Sequence, residues 1–465
     1  MPLHHLLGRW ALVIAGLWTG GGFFILTHLA SGWERSLERS VARVATYFVE
    51  SVSPAARGHD GSRAAPRWSL ATRPSGSSPS ATQALAGAQR SGRRIRSASL
   101  IRFEVAAQAG LVSVVIPTHN RAGIIGRAIE SALAQTYGDL QVIVADDGSS
   151  DNTRAVAEAY GPRVTYLRQP NAGVSAARNF GMRHAKGEFI ALLDSDDSWS
   201  VWKIEAQVAA LRRHQEAGLV WTDMSAVDEA DRLIDTRHLR IMYSAYETLD
   251  IENTLAEVDT LARLNPRVPM ELSSASVREG DLSGGILLGN LIHTSTVLFR
   301  RAWCEQTGGF DETYARAGED YEFYIRLCSS GPVMFIDAPS TQYRIGAADQ
   351  LTAPSMMLEI ARNDLRAIQK WTSRSGSPNQ PSPRVMRRRL AESFAWVGEA
   401  ELDAGHRWQA ARRLAKSLAV LPRADRRAIL LVSCVLPSPA RDRLRSARRT
   451  LLTHHTSRPS RGSSV

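Results

Sequence analysis

Cysteine is scarce and scattered: three residues in 465, Cys304, Cys328 and Cys434. An odd number at such spacings excludes a disulfide framework and a cysteine-rich zinc site, and leaves a reducing compartment as the default. Aromatic residues make up 7% of the chain and charged ones 22%, but 44% is hydrophobic. That is enough for one large globular domain with appendages, and it rules out a disordered or collagen-like chain. No G-x-G-x-x-G or P-loop follows the first strand-like run, which leads instead into PTHNRAG. This argues against a dinucleotide dehydrogenase, and a bound diphosphate here would need a metal in place of a glycine nest.

The basic excess is concentrated at the two flanks. Residues 1–112 carry 13 Lys and Arg against 5 Asp and Glu, residues 355–465 carry 22 against 8, and the stretch between carries 22 against 33. The pI near 10 therefore reports basic flanks around an acidic body. Surface anchoring fits this better than a basic cleft, and a nucleic-acid partner, resting on pI alone, is not expected.

Trp10 to Ala30 has no formal charge over twenty-one residues, long enough to span a bilayer, but includes four glycines and His28. Residues 1–50 are read as a candidate membrane anchor and following helix, with an irregular start as the bland alternative. The arginines after the apolar run outnumber Arg9 before it, which would leave the body in the cytoplasm, at the inner face of the membrane. Residues 51–110 are rich in Ser, Arg, Ala, Gly and Pro and read as a disordered linker, since they offer little apolar surface to offset ordering entropy.

From Val112 the pattern alternates between short β-rich runs and helical stretches. VSVVIP, LQVIVAD, VTYL and EFIALL read as strands, with helices over Ala122 to Gln135, after DDGS, and from Val174 to about Ala185. Strands alternating with helices predict an α/β fold, Rossmann-like, with a mostly parallel sheet flanked by helices and its ligands at the carboxyl ends of the strands. At those ends lie Pro117-Thr118-His119-Asn120-Arg121, Asp146-Asp147-Gly148-Ser149 and Asp194-Ser195-Asp196-Asp197. One such loop is as well explained by helix capping. Together they gather at least four carboxylates along one sheet edge, and that repulsion favours a hard divalent cation, Mg²⁺ or Mn²⁺.

VVIPTHNR (114–121), ADDGSSDNT (145–153), NAGVSAARN (171–179), GEFIALLDSDD (187–197) and GEDY (318–321), in this order, resemble the successive signatures of family 2 glycosyltransferases. The resemblance covers about half the chain. It implies a GT-A domain over 111–354 that binds a nucleotide-sugar donor and transfers the sugar, with inversion, to a glycan or lipid-linked acceptor. It carries Pro117, Thr118 and His119 over to the border of the nucleotide base and Asp147 to binding it. His119 departs from a commonly aromatic position. Asp196 becomes the first choice for metal ligand and Asp194 a ligand to ribose or metal, while Asp197 either shares that role or caps the next helix. Asp320 takes the place of the general base, and Gly308-Gly309-Phe310-Asp311 turns the chain toward its helix. The enzymes it resembles build surface polysaccharides, glycolipids or modified proteins.

Two readings of His293 stay open, a second base or a hydrogen-bonded core histidine. Arg344 likewise reads as a diphosphate ligand or an ion-pair partner. Residues 240–285 interrupt the pattern and read as an acceptor-shaping insert. Residues 355–452 read as a helical C-terminal region, in which Phe394, Gly398, Gly405, Ala410, Leu414 and Pro422 approach the spacing of a tetratricopeptide-like hairpin, and 453–465 as a disordered tail. The basic stretch Arg441 to Arg449 suits anionic lipid headgroups or solvent equally. A nucleotidyltransferase would also use paired aspartates but leaves DDGS, NAGVSAARN and GEDY unexplained. A non-catalytic scaffold with a degenerate nucleotide-sugar site and a helical partner-binding region would leave the same residues idle.

Overall fold

The computed structural model describes residues 101–314, 317–346, 354–372, 381–423 and 425–435. The candidate anchor, most of the linker, the stretch Arg441 to Arg449 and the tail lie outside these residues. Among the described residues no helix is long and apolar enough to cross a membrane.

The described chain falls into two compact units, divided at residue 386. The first opens with β1 (Gln108–Thr118), α1 (Ile125–Leu133), β2 (Leu140–Asp146), α2 (Thr153–Glu158), β3 (Val164–Arg168), α3 (Val174–Arg183) and β4 (Gly187–Leu192). This is the alternation that the hydrophobic pattern predicts. β3, β2, β1 and β4 pair side by side and all parallel. Their cores are buried on both faces, as Val114, Val115, Ile116, Ile143, Val144, Phe189 and Ile190 show, because helices cover both sides of a parallel sheet. α1 buries Ile125, Ala128, Ile129 and Ala132, one face of a 3.6-residue repeat. α3 lies close on β1 at Gly181, where a Cβ would stand 2.5 Å from the Val115 side chain.

Beyond β4 the sheet continues as a mixed one. β5 (Ser198–Trp199), α4 (Lys203–Arg213), β6 (Leu219–Val227) and β7 (Leu233–Asp235) precede three single-turn helices, α5 (Leu239–Met242), α6 (Ala245–Thr248) and α7 (Ile251–Thr254). Then come β8 (Ala256–Thr260), α8 (Leu261–Leu264), β9 (Ser276–Gly280), β10 (Val297–Arg300), α9 (Arg301–Thr307), α10 (Glu319–Cys328) and β11 (Val333–Arg344). The strand order is β3-β2-β1-β4-β10-β6-β11-β9-β8, with β5 on β11 and β7 on β6. The insert at 240–285 is therefore partly sheet: β8 and β9 extend the far edge through β11. Cys304 and Cys328, like Cys434 in the second unit, are buried free thiols.

Two expected boundaries move. The linker does not run to residue 110: Ile101 is buried, Phe103 lies under the Arg301 guanidinium and β1 starts at Gln108. Nor does the first unit end at 354. α11 (Met357–Thr372) packs on α10, with Asn363 Nδ2 donating to Ala317 O at 2.7 Å and Lys370 Nζ to Glu322 Oε1 at 2.7 Å.

The second unit contains α12 (Pro383–Asp403) from residue 387 on, α13 (Arg407–Val420) and α14 (Arg426–Val435). Gly398 lets α13 approach α12, since a Cβ there would meet Leu414 Cγ at 2.8 Å. Ala395, Leu402, Ala410, Leu414 and Leu418 form the hairpin core, which α14 completes with Leu430 and Leu431. A third helix is what a single hairpin needs to bury its apolar face. Arg387, Arg388 and Arg412 point outward as expected, while Arg389 and Arg413 are half-buried.

Candidate active site

The ends of β1 and β2 are stitched together. Asn120, held at φ 53°, accepts at Oδ1 from the backbone N–H of Ser150 at 2.8 Å, and its own N–H donates to Ser149 Oγ at 2.9 Å. His119 Nδ1 stands 2.9 Å from the Asp147 carbonyl, which can only accept, so Nδ1 carries the proton and Nε2 accepts from Asn120 Nδ2. Pro117 and Thr118 are buried, and among the described residues Thr118 Oγ1 has no hydrogen-bond partner. A buried orphan hydroxyl at a strand end suits a ligand contact. Asp147 is more committed than its sequence role implies. Its carboxylate accepts from Gln169 Nε2 and from the N–H groups of Ala172 and Gly173, at 2.7 to 2.9 Å, just ahead of α3. It orders that loop whatever else it binds.

At the end of β4 three carboxylates crowd together. Asp194 accepts from Arg178 and its N–H donates to Ser295 Oγ at 3.0 Å. Asp197 is buried and accepts from Ser295 Oγ–H at 2.5 Å. Burial, with the charge of Asp194, pushes the Asp196 carboxyl above the usual range, where Arg121 and Arg344 partly oppose it. Burial and the charges of Asp196 and Asp194 push Asp197 well above it. His293 Nδ1 accepts from the Ser295 N–H at 3.3 Å, and burial holds its pKa down at about 4, so the imidazole is neutral. Oxygens of Asp194 and Asp197 and a nitrogen of His293 lie within 4.8 Å of one another. Crowded carboxylates beside a neutral imidazole fit a divalent cation, whose charge would relieve the repulsion. This set differs from the expected pair: Asp194 belongs to it, Asp197 and His293 join it, and Asp196 stands next to it.

Across from these acids, α10 begins at Glu319, where the GEDY motif predicts a helix start, and presents Asp320. Asn290 Nδ2 donates to Asp320 Oδ2 at 3.1 Å. Burial, with the adjacent Glu319 charge, raises the Asp320 pKa to about 7. A carboxylate so poised can accept a proton at neutral pH. Arg178 of α3 joins the two sides: one guanidinium nitrogen lies 2.6 Å from Glu319 Oε1 and another 2.8 Å from Asp194 Oδ1, with the side chain 3% exposed. Asn179 clamps the turn before α10, accepting from Phe310 N at 2.8 Å and donating to Phe310 O at 2.9 Å. Arg344 takes the ion-pair reading: it meets Asp231 Oδ1 at 2.7 Å and donates to the carbonyls of Asp228 and Glu229.

Sequence reasoning missed the parts played by Arg178 and Ser295. Arg178 left a signal. Ser175, Arg178, Asn179 and Met182 share one helical face that the structure buries, and an arginine on a core-facing stripe needs buried acids. Ser295 left none, because its contacts with Asp194 and Asp197 arise only when β10 pairs with β4.

The sequence profile described as Glycosyl transferase family 2 matches residues 113–261. An uncharacterized glycosyltransferase of Rickettsia prowazekii (strain Madrid E) is 30% identical over 249 residues, 54% of this chain and 68% of that one. A homologue in Rickettsia typhi, also an uncharacterized glycosyltransferase, is 31% identical over 225 residues, 48% of this chain and 61% of that one. A UDP-Glc:alpha-D-GlcNAc-diphosphoundecaprenol beta-1,3-glucosyltransferase of Escherichia coli is 42% identical over 106 residues, 22% of this chain and 42% of the enzyme. The crystal structure of S. aureus TarS 1-349 in complex with UDP-GlcNAc aligns with a TM-score of 0.45 at 18% identity, over 70% of this chain and 84% of that one. The chain thus spans under two thirds of the R. typhi protein and just over two thirds of the R. prowazekii one. It belongs to glycosyl transferase family 2, and its first unit has the GT-A fold.

Proposed function

We propose that the protein is an inverting glycosyltransferase that moves a sugar from a nucleoside-diphosphate donor to a hydroxyl of a glycan or lipid-linked acceptor, assisted by Mg²⁺ or Mn²⁺. The observation that carries this is the Arg178 bridge, which sets the acids at the end of β4 and the helix of Asp320 on opposite sides of one guanidinium. A donor site and a base are thereby held at fixed separation, as a single displacement requires.

Pro117, Thr118, His119 and Asp147 border the nucleotide, and Asp194 takes the ribose or the metal. Asp194 and Asp196, with Asp197 and His293, would hold the cation, which supplies charge neutralisation to the departing diphosphate. Asp320 removes the proton from the acceptor hydroxyl as its oxygen bonds to the anomeric carbon. The bond from that carbon to the diphosphate breaks, and its electron pair leaves with the nucleoside diphosphate. One base facing one leaving group, with no second carboxylate given the role of nucleophile among the described residues, gives inversion. The E. coli relative acts on a diphosphoundecaprenol-linked sugar, and the basic flanks of this chain suit an anionic membrane surface, so a lipid-linked glycan fits both.

Calorimetric binding of UDP, GDP and their sugars to the full chain, with Mn²⁺ or with EDTA, tests this reading. Metal-dependent binding of one nucleotide is expected, and Asp196→Ala is expected to lose it. A folded protein that binds no nucleotide would instead support the scaffold reading.

A further inference from the structure

Ser295 touches all three residues that gather at the candidate cation position. Its hydroxyl donates to Asp197 Oδ2 at 2.5 Å, the same oxygen accepts from the Asp194 N–H at 3.0 Å, and its own N–H meets His293 Nδ1 at 3.3 Å. The segment that carries it, Thr294–Thr296, is a single 3₁₀ turn, too short to keep its place by its own hydrogen bonds. Two side chains hold that turn from behind. Trp199 Nε1 donates to Ser295 O at 2.7 Å, and Gln207 Nε2 donates to Thr296 O at 2.8 Å and to Val220 O at 3.2 Å.

Both of these side chains meet one amine. Lys203, at the start of α4, is fully buried; its Nζ donates to Gln207 Oε1 at 2.7 Å and lies 4.2 Å from the centre of the Trp199 ring. Gln207 follows it by one helical turn, and Trp199 on β5 is set by pairing with Thr341 of β11. Among the described residues no carboxylate pairs with Lys203, and burial pushes its pKa well down. The helix dipole also opposes a positive charge at the first position of α4. A methionine of similar length would fill the space without the cost of burying an amine. What the amine adds is orientation. With its N–H on Oε1, the Gln207 amide is fixed with its NH₂ toward the two carbonyls, and the same Nζ rests on the indole that reaches Ser295.

We infer that Lys203, with Trp199 and Gln207, positions the cation site: the three fix the turn whose Ser295 sets Asp194, Asp197 and His293 around one point. This rests on the metal-assisted glycosyltransferase reading, and its test separates the two. In calorimetry on the full chain, Mn²⁺ is titrated at saturating UDP or GDP, and the nucleotide at saturating Mn²⁺, for the parent, Lys203→Met and Trp199→Phe. Trp199→Phe keeps a ring beside Lys203 and removes the indole N–H. Mn²⁺ affinity should fall roughly threefold to tenfold in Lys203→Met and about tenfold in Trp199→Phe, as when an outer partner of a metal ligand is lost. Nucleotide affinity at saturating Mn²⁺ should stay within about twofold in both, which also shows that they fold. A lower Tm with Mn²⁺ affinity unmoved would mark these side chains as core packing and overturn the inference. Equal losses of Mn²⁺ and nucleotide affinity would mark a general distortion and overturn it too. Where Lys203→Met does not fold, Trp199→Phe decides, and unchanged Mn²⁺ affinity there overturns the inference. A parent that binds its nucleotide equally with Mn²⁺ and with EDTA overturns the inference and the metal assistance, and leaves the transferase reading standing. A folded parent that binds no nucleotide overturns that reading, and the inference with it.

Discussion

Replacing Arg178 by Gln perturbs the site at its centre. The guanidinium contacts Glu319 at 2.6 Å and Asp194 at 2.8 Å and lies over the Phe310 ring at 5.2 Å. Removing one partner of a buried ion pair leaves an uncompensated charge and costs about 3 to 5 kcal/mol. Glu319 is 5% exposed, and its Oε2 already lacks a hydrogen bond among the described residues, so it bears most of that cost. Asp194, 23% exposed, retains water and contributes less. A loss of about 3 kcal/mol lowers Tm by roughly 10 °C in a domain of this size. Glu319→Gln added to Arg178→Gln removes the stranded charge and should return a large part of the loss, which a double-mutant cycle in urea reads directly. Arg178 also lowers the Asp320 pKa. The acid limb of the pH profile should therefore move to higher pH in Arg178→Gln. Stability within about 1 kcal/mol of the parent, no rescue by Glu319→Gln and an unmoved pH profile would together refute the bridge.

In its proposed role as base, Asp320, whose pKa burial and the Glu319 charge raise to about 7, works only when ionised, so the transfer rate should fall about tenfold per pH unit below 7 and level off above it. A rate flat from pH 5 to 8 at saturating donor would contradict this. Asp320→Asn should reduce transfer by about 10² to 10⁴ while nucleotide binding by calorimetry stays intact. Gly309→Ala brings a Cβ within 2.4 Å of Asn179 Oδ1 and breaks the clamp on the turn before α10. A loss of about 1 to 3 kcal/mol is expected in thermal or urea unfolding.

What the sequence made legible was local. Strands such as LQVIVAD are continuous apolar runs that end in aspartates, and the structure sets β2 at Leu140–Asp146. α10 starts at Glu319 because the acids of GEDY favour a helix N-terminus. The second unit followed its apolar spacing, with Gly398 and Leu414 meeting across the hairpin. What stayed hidden depended on distant pairing. The four single-turn helices of the insert are too short to show a period of their own. His293 sits in an apolar run, and only the fold sets it 3.9 Å from Asp197. The aspartate of DDGS showed both readings at once, since capping the loop before α3 accounts for three of its bonds.

β10 is four residues long, yet it lies between β4 and β6, antiparallel to both. Chain from beyond the family match, which ends at residue 261, is thus threaded into the middle of the sheet. The matched segment cannot be excised at that point as a self-sufficient module, because cutting there would remove β10 and leave β4 and β6 with open edges. Recombination that exchanges the chain after residue 261 would have to replace a central strand as well. Unfolding should also strike the segments on either side of residue 261 together, in a single transition.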